Sequence, residues 1–109
     1  MRKSYTKRQL ELQKILEELG FQTELEVLFY PYRIDILIKE VWIAVEYDGP
    51  LHISKSVDEK RNQYLWDNFE LPTLRIKEKD FANKEELRRK ILQFIEEKGI
   101  SKATSKFFQ

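Results

Sequence analysis

Two apolar, β-branched runs follow one another closely in the sequence, and each contains one acidic residue. Residues 33–38 and 41–47 are separated by only two residues, which predicts two strands joined as a β-hairpin. Asp35 interrupts the first run, and Glu46 lies near the end of the second. A buried carboxylate is costly unless a cation or hydrogen bonds compensate it. We therefore interpret the two acids as half of a divalent-cation site.

A two-residue loop at positions 39–40 would fix the register of these strands. It places Ala44 opposite Asp35. It also places Arg33 opposite Glu46, which then lies diagonal to Asp35 on the same face. Diagonal neighbours are about 7–8 Å apart, within reach of one ion. A four-residue loop would keep both acids on one face, whereas a three-residue loop would separate them.

The face that carries the acids is expected to be the wetter one. The opposite face should be covered by helices, and its residues are Ile34, Ile36, Ile38, Val41, Ile43, Val45 and Tyr47.

Two close carboxylates repel each other by roughly a few kcal/mol at an effective dielectric of about 20, so they require a positive group. A cross-strand ion pair between Arg33 and Glu46 would meet that need for structural reasons alone. It would leave Asp35 and the polar block that follows Glu46 unexplained.

That block contains two further polar residues around a turn. Glu46 is followed by Asp48, Gly49, Pro50 and then His52, the chain's single histidine. Mg²⁺ prefers oxygen ligands and is usually held by one or two carboxylates together with substrate phosphates. A lone loop histidine is more often a surface residue, and a Gly-Pro pair often breaks a chain with no chemical purpose. Beside two acids, however, an imidazole can move a proton. The cluster favours phosphodiester hydrolysis.

Length and composition limit the class of protein. The 109 residues are 41% hydrophobic, enough for one core, so we expect one domain over residues 1–100 and a tail over 101–109. Cysteine is absent, which excludes disulfides, thiolate nucleophiles and the usual structural zinc sites. We find neither an apolar run of roughly 20 residues nor a secretory signal. We therefore expect a soluble, cytoplasmic protein with no membrane partner.

The charge balance argues against binding nucleic acid by bulk charge. The net charge is +1, although 36% of the residues are charged, and local basic patches can still bind phosphates. One patch lies within the first nine residues, and another is formed by Arg75, Lys77 and Lys79. Solvated side chains that keep a domain soluble explain each patch equally well.

Hydrophobic periodicity predicts the order helix, three strands, helix, strand, helix. The predicted ranges are 6–19, 21–29, 33–38, 41–47, 58–69, 73–76 and 84–98. Thr6 and Gln9 form a capping-box-like start of the first helix, and Asn83 is the expected cap of the last. The predicted buried stripe of the last helix is Leu87, Ile91, Leu92 and Ile95. We also expect Trp66 in the core.

These residues resemble the Vsr-like branch of the PD-(D/E)XK nuclease superfamily, particularly its small members. That branch has an acid in the second core strand, a Glu-x-Asp-Gly-x-x-His block ending the third, and Asp-x-x-Arg opening the next helix. The matching residues are Asp35, Glu46, Asp48, Gly49, His52, Asp58 and Arg61. The likeness covers residues 6–81 and implies a restriction-endonuclease-like αβββαβ core, with a mixed four-stranded sheet flanked by helices and a C-terminal helix added.

The resemblance implies a Mg²⁺-dependent endonuclease that acts on DNA, with Mn²⁺ as an alternative ion. It makes Asp35 and Glu46 metal ligands, and Asp48 a ligand or an orienting group. His52 would act as the acid or base. The family's usual glutamate in the first helix is Gln9 here, with Glu11 as a substitute. The superfamily's usual lysine is replaced by Asp48, and the candidates for its role, if it is filled at all, are His52, Lys55 and Lys60.

Other residues have two interpretations. The candidates for contact with nucleic acid are Lys55, Lys60, Arg61 and Arg75. Asp58 and Arg61 would alternatively form an i, i+3 helix pair that only supports the site. Tyrosines can stack on bases or sugars, although aromatic residues in strands and amphipathic helices are more often core; they are Tyr30, Tyr32, Tyr47 and Tyr64.

Three functions stay open at this point. The first is a small metal-dependent DNA endonuclease of phage, mobile-element or repair type. The second is a catalytically inactive domain of the same fold that binds nucleic acid, RNA included. The third is a protein-interaction domain whose acids form only salt bridges. Phe107 and Phe108 in the tail would suit association as a homodimer.

Overall fold

The computed structural model of the chain describes residues 5–49 and 55–99, without the side chain of Lys55. Its elements are α1 (Lys7–Glu18), β1 (Glu24–Phe29), β2 (Tyr32–Ile38), β3 (Ile43–Asp48), α2 (Lys55–Phe69), β4 (Thr73–Lys77) and α3 (Lys84–Lys98), with a 3-10 turn at Glu78–Ala82. The predicted order of helices and strands is confirmed, and the 3-10 turn was not predicted. His52 and the predicted tail, with Phe107 and Phe108, lie outside the described residues.

The four strands form one mixed sheet in the order β1-β2-β3-β4. The first three strands are antiparallel, and β4 runs parallel to β3. A parallel neighbour requires a crossover connection, which α2 provides. The predicted architecture, a mixed four-stranded sheet flanked by helices, is confirmed.

Both faces of the sheet are covered. One core cluster joins the sheet to α1 and α3 and contains Leu12, Ile15, Leu16, Ile36, Ile38, Ile43, Val45, Leu74, Ile76, Phe81, Leu87 and Ile91. A second cluster lies on the α2 side and contains Phe29, Ile34, Leu37, Ala44, Leu65 and Leu71. The expectation that the acid-bearing face is the wetter one is wrong, because Leu65 of α2 packs over Leu37 and Ala44 and buries it.

The connection between β2 and β3 is longer than the predicted two-residue loop. The last partners before the loop are Ile38 and Ile43, so residues 39–42 all lie in the connection. Trp42 takes part in this turn with a positive φ of 58°. Its indole N–H donates to the carbonyl of Phe69 at 2.9 Å. This anchor draws Trp42 out of the strand and lengthens the loop.

The longer loop corrects two predicted cross-strand pairs. Ala44 lies opposite Leu37, and not opposite Asp35. Continuing the same register by one step brings Asp35 directly opposite Glu46 instead of diagonal to it. Arg33 does not face Glu46, because that register sets Glu46 two residues away, opposite Asp35.

The predicted helix caps are present, with one difference. Thr6 Oγ1 accepts the backbone N–H of Gln9 at 3.0 Å, but the Gln9 side chain turns into the protein and does not return to the cap. Asn83 Oδ1 accepts the N–H of Glu86 at 3.1 Å. Within the described ranges, no helix is long and apolar enough to cross a membrane.

Two residues predicted to be buried are exposed. Leu92 lies one position past the buried Ile91, and a step of one residue turns a side chain about 100° around a helix. Trp66 is 51% exposed for the same reason, since its neighbour Leu65 takes the buried position on α2.

Candidate active site

Asp35 and Glu46 lie directly beyond Ile36 and Val45, the last backbone partners on that side of the β2–β3 pair. Glu46 Oε2 accepts the backbone N–H of Asp35 at 2.6 Å. Asp35 Oδ2 accepts the backbone N–H of Tyr47 at 2.9 Å. Each carboxylate therefore takes a donor from the opposite strand, and these reciprocal bonds bring the two acids together.

Arg61 of α2 supplies the cation nearest to this pair. Its Nη2 lies 2.8 Å from Glu46 Oε1 and also donates to the carbonyl of Arg33. Its guanidinium carbon lies 5.7 Å from the centre of the Tyr32 ring. The buried Nε of Arg61 has no hydrogen-bond partner among the described residues. The predicted partner, Arg33, points elsewhere, and its guanidinium donates to the Glu26 carbonyl.

The arginine does not fully compensate the negative charge of the two acids. Burial, and after it repulsion from Asp35, raises the pKa of Glu46 to about 7 against the opposing pull of Arg61. Glu46 is only 3% exposed. Burial also raises the pKa of Asp35, although the N–H of Tyr47 opposes this effect. The site therefore retains a capacity for more positive charge.

Gln9 connects the first helix to the acids. Its side chain is buried, with 4% exposed. Its Nε2 donates to Glu26 Oε2 at 3.0 Å and to the backbone carbonyl of Asp35 at 3.1 Å. Gln9 is thus a first-helix residue in contact with both Glu26 and the backbone of Asp35.

Glu26 is a third acid near the site, and the sequence analysis missed it. Leu25 pairs with Ile36 and Val27 with Ile34, so Glu26 occupies the position facing Asp35. Its charge contributes to the raised pKa of Asp35, and its φ of 54° is in the left-handed region. A register count from a two-residue turn at Tyr30-Pro31 would have identified it.

Strands β1 and β2 both change the helix layer that they pack against, β1 at Glu26 and β2 at Asp35. Leu25 and Ile36 pack with the α1 and α3 cluster, whereas Val27 and Ile34 pack with the α2 cluster. Residues two apart on a regular strand share one face. The reversal therefore occurs at Glu26 and Asp35, where the strands are irregular and the acids gather.

Asp48 belongs to a second group of charges next to the pair. Its Oδ1 lies 2.8 Å from Nη1 of Arg75, whose other terminal nitrogen lies 3.1 Å from Asn62 Oδ1 and 3.5 Å from Asp58 Oδ1. Arg75 lies opposite Glu46 in the parallel β3–β4 register. The structure thus ties Asp48 and Asp58 to Arg75, and it ties Arg61 to Glu46.

For the remaining predicted site residues, the structure shows no contact with Asp35 or Glu46 within the part of the chain that it describes. Glu11 pairs with Arg8 at 2.7 Å and with Lys84 at 3.2 Å, and its contacts do not include the two acids. Lys60 is exposed on α2. Lys55 begins that helix, but its side chain lies outside the described residues, as does His52.

Asp35 and Glu46 are the carboxylates of this site that a hard cation could use. Within residues 5–49 and 55–99, no group of three or more histidine or acidic side chains is arranged to hold a metal ion. Mg²⁺ commonly takes only one or two carboxylates and completes its shell with water and phosphate. Asp35 and Glu46 supply two such carboxylates, and Glu46 Oε1 is paired with Arg61 at 2.8 Å. The residues fit Mg²⁺ if Glu46 Oε1 exchanges Arg61 for the ion.

The fold is similar to that of a solved structure, the homing endonuclease I-Bth0305I catalytic domain. The two superpose with a TM-score of 0.69 at 16% sequence identity, over 83% of this chain and 94% of that chain. No protein-family model and no curated protein matches the sequence. The chain therefore has the fold of an endonuclease catalytic domain, as the sequence resemblance implied.

Proposed function

We propose that this protein is a Mg²⁺-dependent DNA endonuclease of the Vsr-like type, with Asp35 and Glu46 as its metal ligands. One observation carries the proposal: two acids on adjacent strands each accept a backbone N–H from the other's strand, Glu46 from Asp35 and Asp35 from Tyr47, in a fold shared with an endonuclease catalytic domain. A carboxylate pair with Glu46 buried and Asp35 half-buried does little for stability, because desolvation and mutual repulsion both oppose it. Function is the better explanation for its presence.

The bound ion, Mg²⁺ or Mn²⁺, would polarise the scissile phosphate and lower the pKa of an attacking water. The protein supplies the rest. The reciprocal hydrogen bonds keep both carboxylates in place before substrate arrives. Asp48, held by Arg75, orients the strand end that leads to His52, for which we retain the proposed role of acid or base.

Arg61 has two roles in this proposal. In the ion-free protein its guanidinium neutralises part of the charge on Glu46. When Glu46 takes the cation, Arg61 is free to bind a phosphate oxygen of the DNA, for which the guanidinium geometry is well suited. Lys60, the exposed preceding residue, supplies a further contact to the DNA backbone.

A second candidate function is a catalytically inactive domain that binds nucleic acid. It is favoured by the Arg61–Glu46 ion pair and by Gln9 at the place of the family's usual acid. In this case the ion pair would be permanent and no metal would bind. A protein-interaction domain is the third candidate, and it requires neither metal nor nucleic acid.

One assay separates the three functions. Supercoiled plasmid, flap DNA and structured RNA are incubated with the protein in Mg²⁺, Mn²⁺ or EDTA, beside the variants Asp35→Asn and Glu46→Gln. The control is Asp67→Asn, which removes an exposed acid from α2 whose carboxylate accepts a hydrogen bond from Gln63. We expect metal-dependent nicking of DNA that both site variants lose and the control retains.

The other outcomes identify the alternatives. Binding of DNA or RNA without cleavage, unchanged in Asp35→Asn and Glu46→Gln, would support the inactive binding domain and contradict the nuclease proposal. Absence of affinity for any nucleic acid at low salt would favour the protein-interaction domain.

A further inference from the structure

The β1–β2 hairpin has one packed face and one exposed face. Val27, Phe29 and Ile34 pack against the α2 cluster. Leu28 and Arg33 are cross-strand partners, so by strand alternation their side chains lie on the opposite face. Leu28 is 54% exposed, and Arg33 is exposed as well. No described element covers this side of the hairpin tip.

The turn of this hairpin presents an exposed aromatic ring. Tyr30 is 77% exposed, the highest value among the large hydrophobic residues that are described. An exposed tyrosine ring buries little apolar area and adds little to stability, and Leu28, two residues earlier in the chain, is exposed as well. We call Leu28, Tyr30 and Arg33 the hairpin face.

The backbone beneath Tyr30 is held firmly on α2. Tyr64 Oη donates to the Tyr30 carbonyl at 3.0 Å, and the rings of Tyr32 and Tyr64 meet edge to face at 5.2 Å. The guanidinium carbon of Arg61 also lies 5.7 Å from the centre of the Tyr32 ring. The exposed ring is therefore carried on a backbone that is already ordered, which lowers the entropy cost of binding a ligand.

Charge and position indicate what this face binds. Arg33 is the only charged residue between positions 28 and 34, so the hairpin tip is positive. Asp35 lies two residues further along β2, which corresponds to about 7 Å along the strand. Measured along β2, the hairpin face is therefore within a nucleotide or two of Asp35.

We propose that the hairpin face binds an unpaired nucleotide of a DNA substrate, next to the phosphate that is cleaved. This inference rests on the proposed function and names its substrate class: DNA with flaps, bulges or single-stranded loops. In a continuous duplex the faces of the bases are covered by their neighbours, so a tyrosine ring would first have to unstack them, whereas an unpaired base offers its face without that cost. Arg33 binds the adjoining phosphate.

The test measures binding without cleavage. Full-length protein in EDTA is titrated into DNA that carries 2-aminopurine in an unpaired flap, and into a duplex of the same sequence. The variants are Tyr30→Ala, Tyr30→Phe and, as a matched exposed aromatic on α2, Trp66→Ala. We expect tighter binding to the flap than to the duplex and quenching of the 2-aminopurine fluorescence. Tyr30→Ala should weaken flap binding by about five- to hundredfold, with duplex binding unchanged.

Tyr30→Phe should retain both affinity and quenching, because it keeps the ring, and Trp66→Ala should behave as the wild type. The inference is overturned if Tyr30→Ala binds the flap as well as the wild type, if it loses the same factor on flap and duplex, or if Trp66→Ala loses as much. Tyr30-dependent flap binding without cleavage in any metal would leave the inference standing and refute the proposed nuclease. Metal-dependent cleavage by the wild type, together with unchanged flap binding by Tyr30→Ala, would support the proposed nuclease and refute the inference about the hairpin face.

Discussion

The Glu46 carboxylate accepts the backbone N–H of Asp35 at 2.6 Å. The Asp35 carboxylate accepts the backbone N–H of Tyr47, the residue that follows Glu46. The two side chains repel each other, yet each is fixed by a donor on the other's strand. The sheet itself therefore helps to position both carboxylates, in addition to the ion pair between Glu46 and Arg61. A change at one acid should also loosen the other.

Protein stability should fall as the pH rises from about 4.5 to about 7. The pKa of Glu46 is raised from 4.5 to about 7 in the folded protein, so in that window the folded state holds a proton that the unfolded state has released. The loss should be on the order of 3 kcal/mol. We expect a lower Tm at pH 8 than at pH 5, and a flatter profile in Glu46→Gln. A wild-type Tm independent of pH across this window would contradict the prediction.

Divalent cations should raise the Tm at pH 8. Because a ligand that binds only the folded state stabilises it, a concentration about tenfold above Kd contributes about 1.4 kcal/mol, or roughly 5–10 °C for a domain of this size. Differential scanning fluorimetry with MnCl₂ and MgCl₂ measures the shift. Asp35→Asn and Glu46→Gln should lose it and Asp67→Asn should keep it; an equal shift in all four proteins would show that the ion binds elsewhere.

Replacing Arg61 by methionine should strengthen metal binding. The guanidinium contacts Glu46 Oε1 at 2.8 Å and must release it to the ion, so its removal should lower the Kd for Mn²⁺ by about tenfold. Calorimetric titration measures the Kd directly. Lys60→Met removes the same charge one residue away and should change the Kd less than about twofold. Equal effects of the two variants would mean that general charge, and not competition for Glu46, is responsible.

Gln9→Glu should make stability depend on metal. The new carboxylate would lie where the Gln9 amide now donates to Glu26 and to the Asp35 carbonyl, so the free energy of unfolding should fall by about 2 kcal/mol or more without metal. Mn²⁺ should restore part of the loss. Urea unfolding at pH 8 gives both values. Gln13→Glu, on the same helix, is the control, and it should show no metal-dependent recovery.

Arg75→Met should be strongly destabilising. Asp48 is buried and pairs with Arg75 at 2.8 Å, so removing the arginine leaves a buried charge without its cation, at a cost of about 3–5 kcal/mol. Lys77→Met, two residues along β4 and exposed, should change stability by less than about 0.5 kcal/mol. A small effect of Arg75→Met in urea unfolding would mean that Asp48 finds another partner.

Local periodicity was sufficient to predict the helices and strands, because each buries a stripe or a face of regular spacing. It was not sufficient for the register of β2 and β3. The loop length depends on Trp42, whose indole binds a carbonyl at the end of α2. That contact joins residues 27 positions apart, and strand propensity contains no information about it.

The candidate site shows the same limit. The acids of β2 and β3 were identified because a charge within an apolar run is unusual. Glu26 was missed because a glutamate at that position fits the alternation of polar and apolar residues expected of a half-buried strand. Only the pairing of β1 with β2 brings it to Asp35. Arg61 was predicted to match a family motif, but its contact with Glu46 depends on how α2 crosses the sheet.

Both cations that hold the acids of the site come from the second half of the chain, Arg61 from α2 and Arg75 from β4. During synthesis, the strands that carry Asp35, Glu46 and Asp48 leave the ribosome before either arginine. A nascent chain therefore presents these carboxylates without their guanidinium partners. Under the proposed function, the capacity to cut DNA would arise only after the later residues have emerged and folded back.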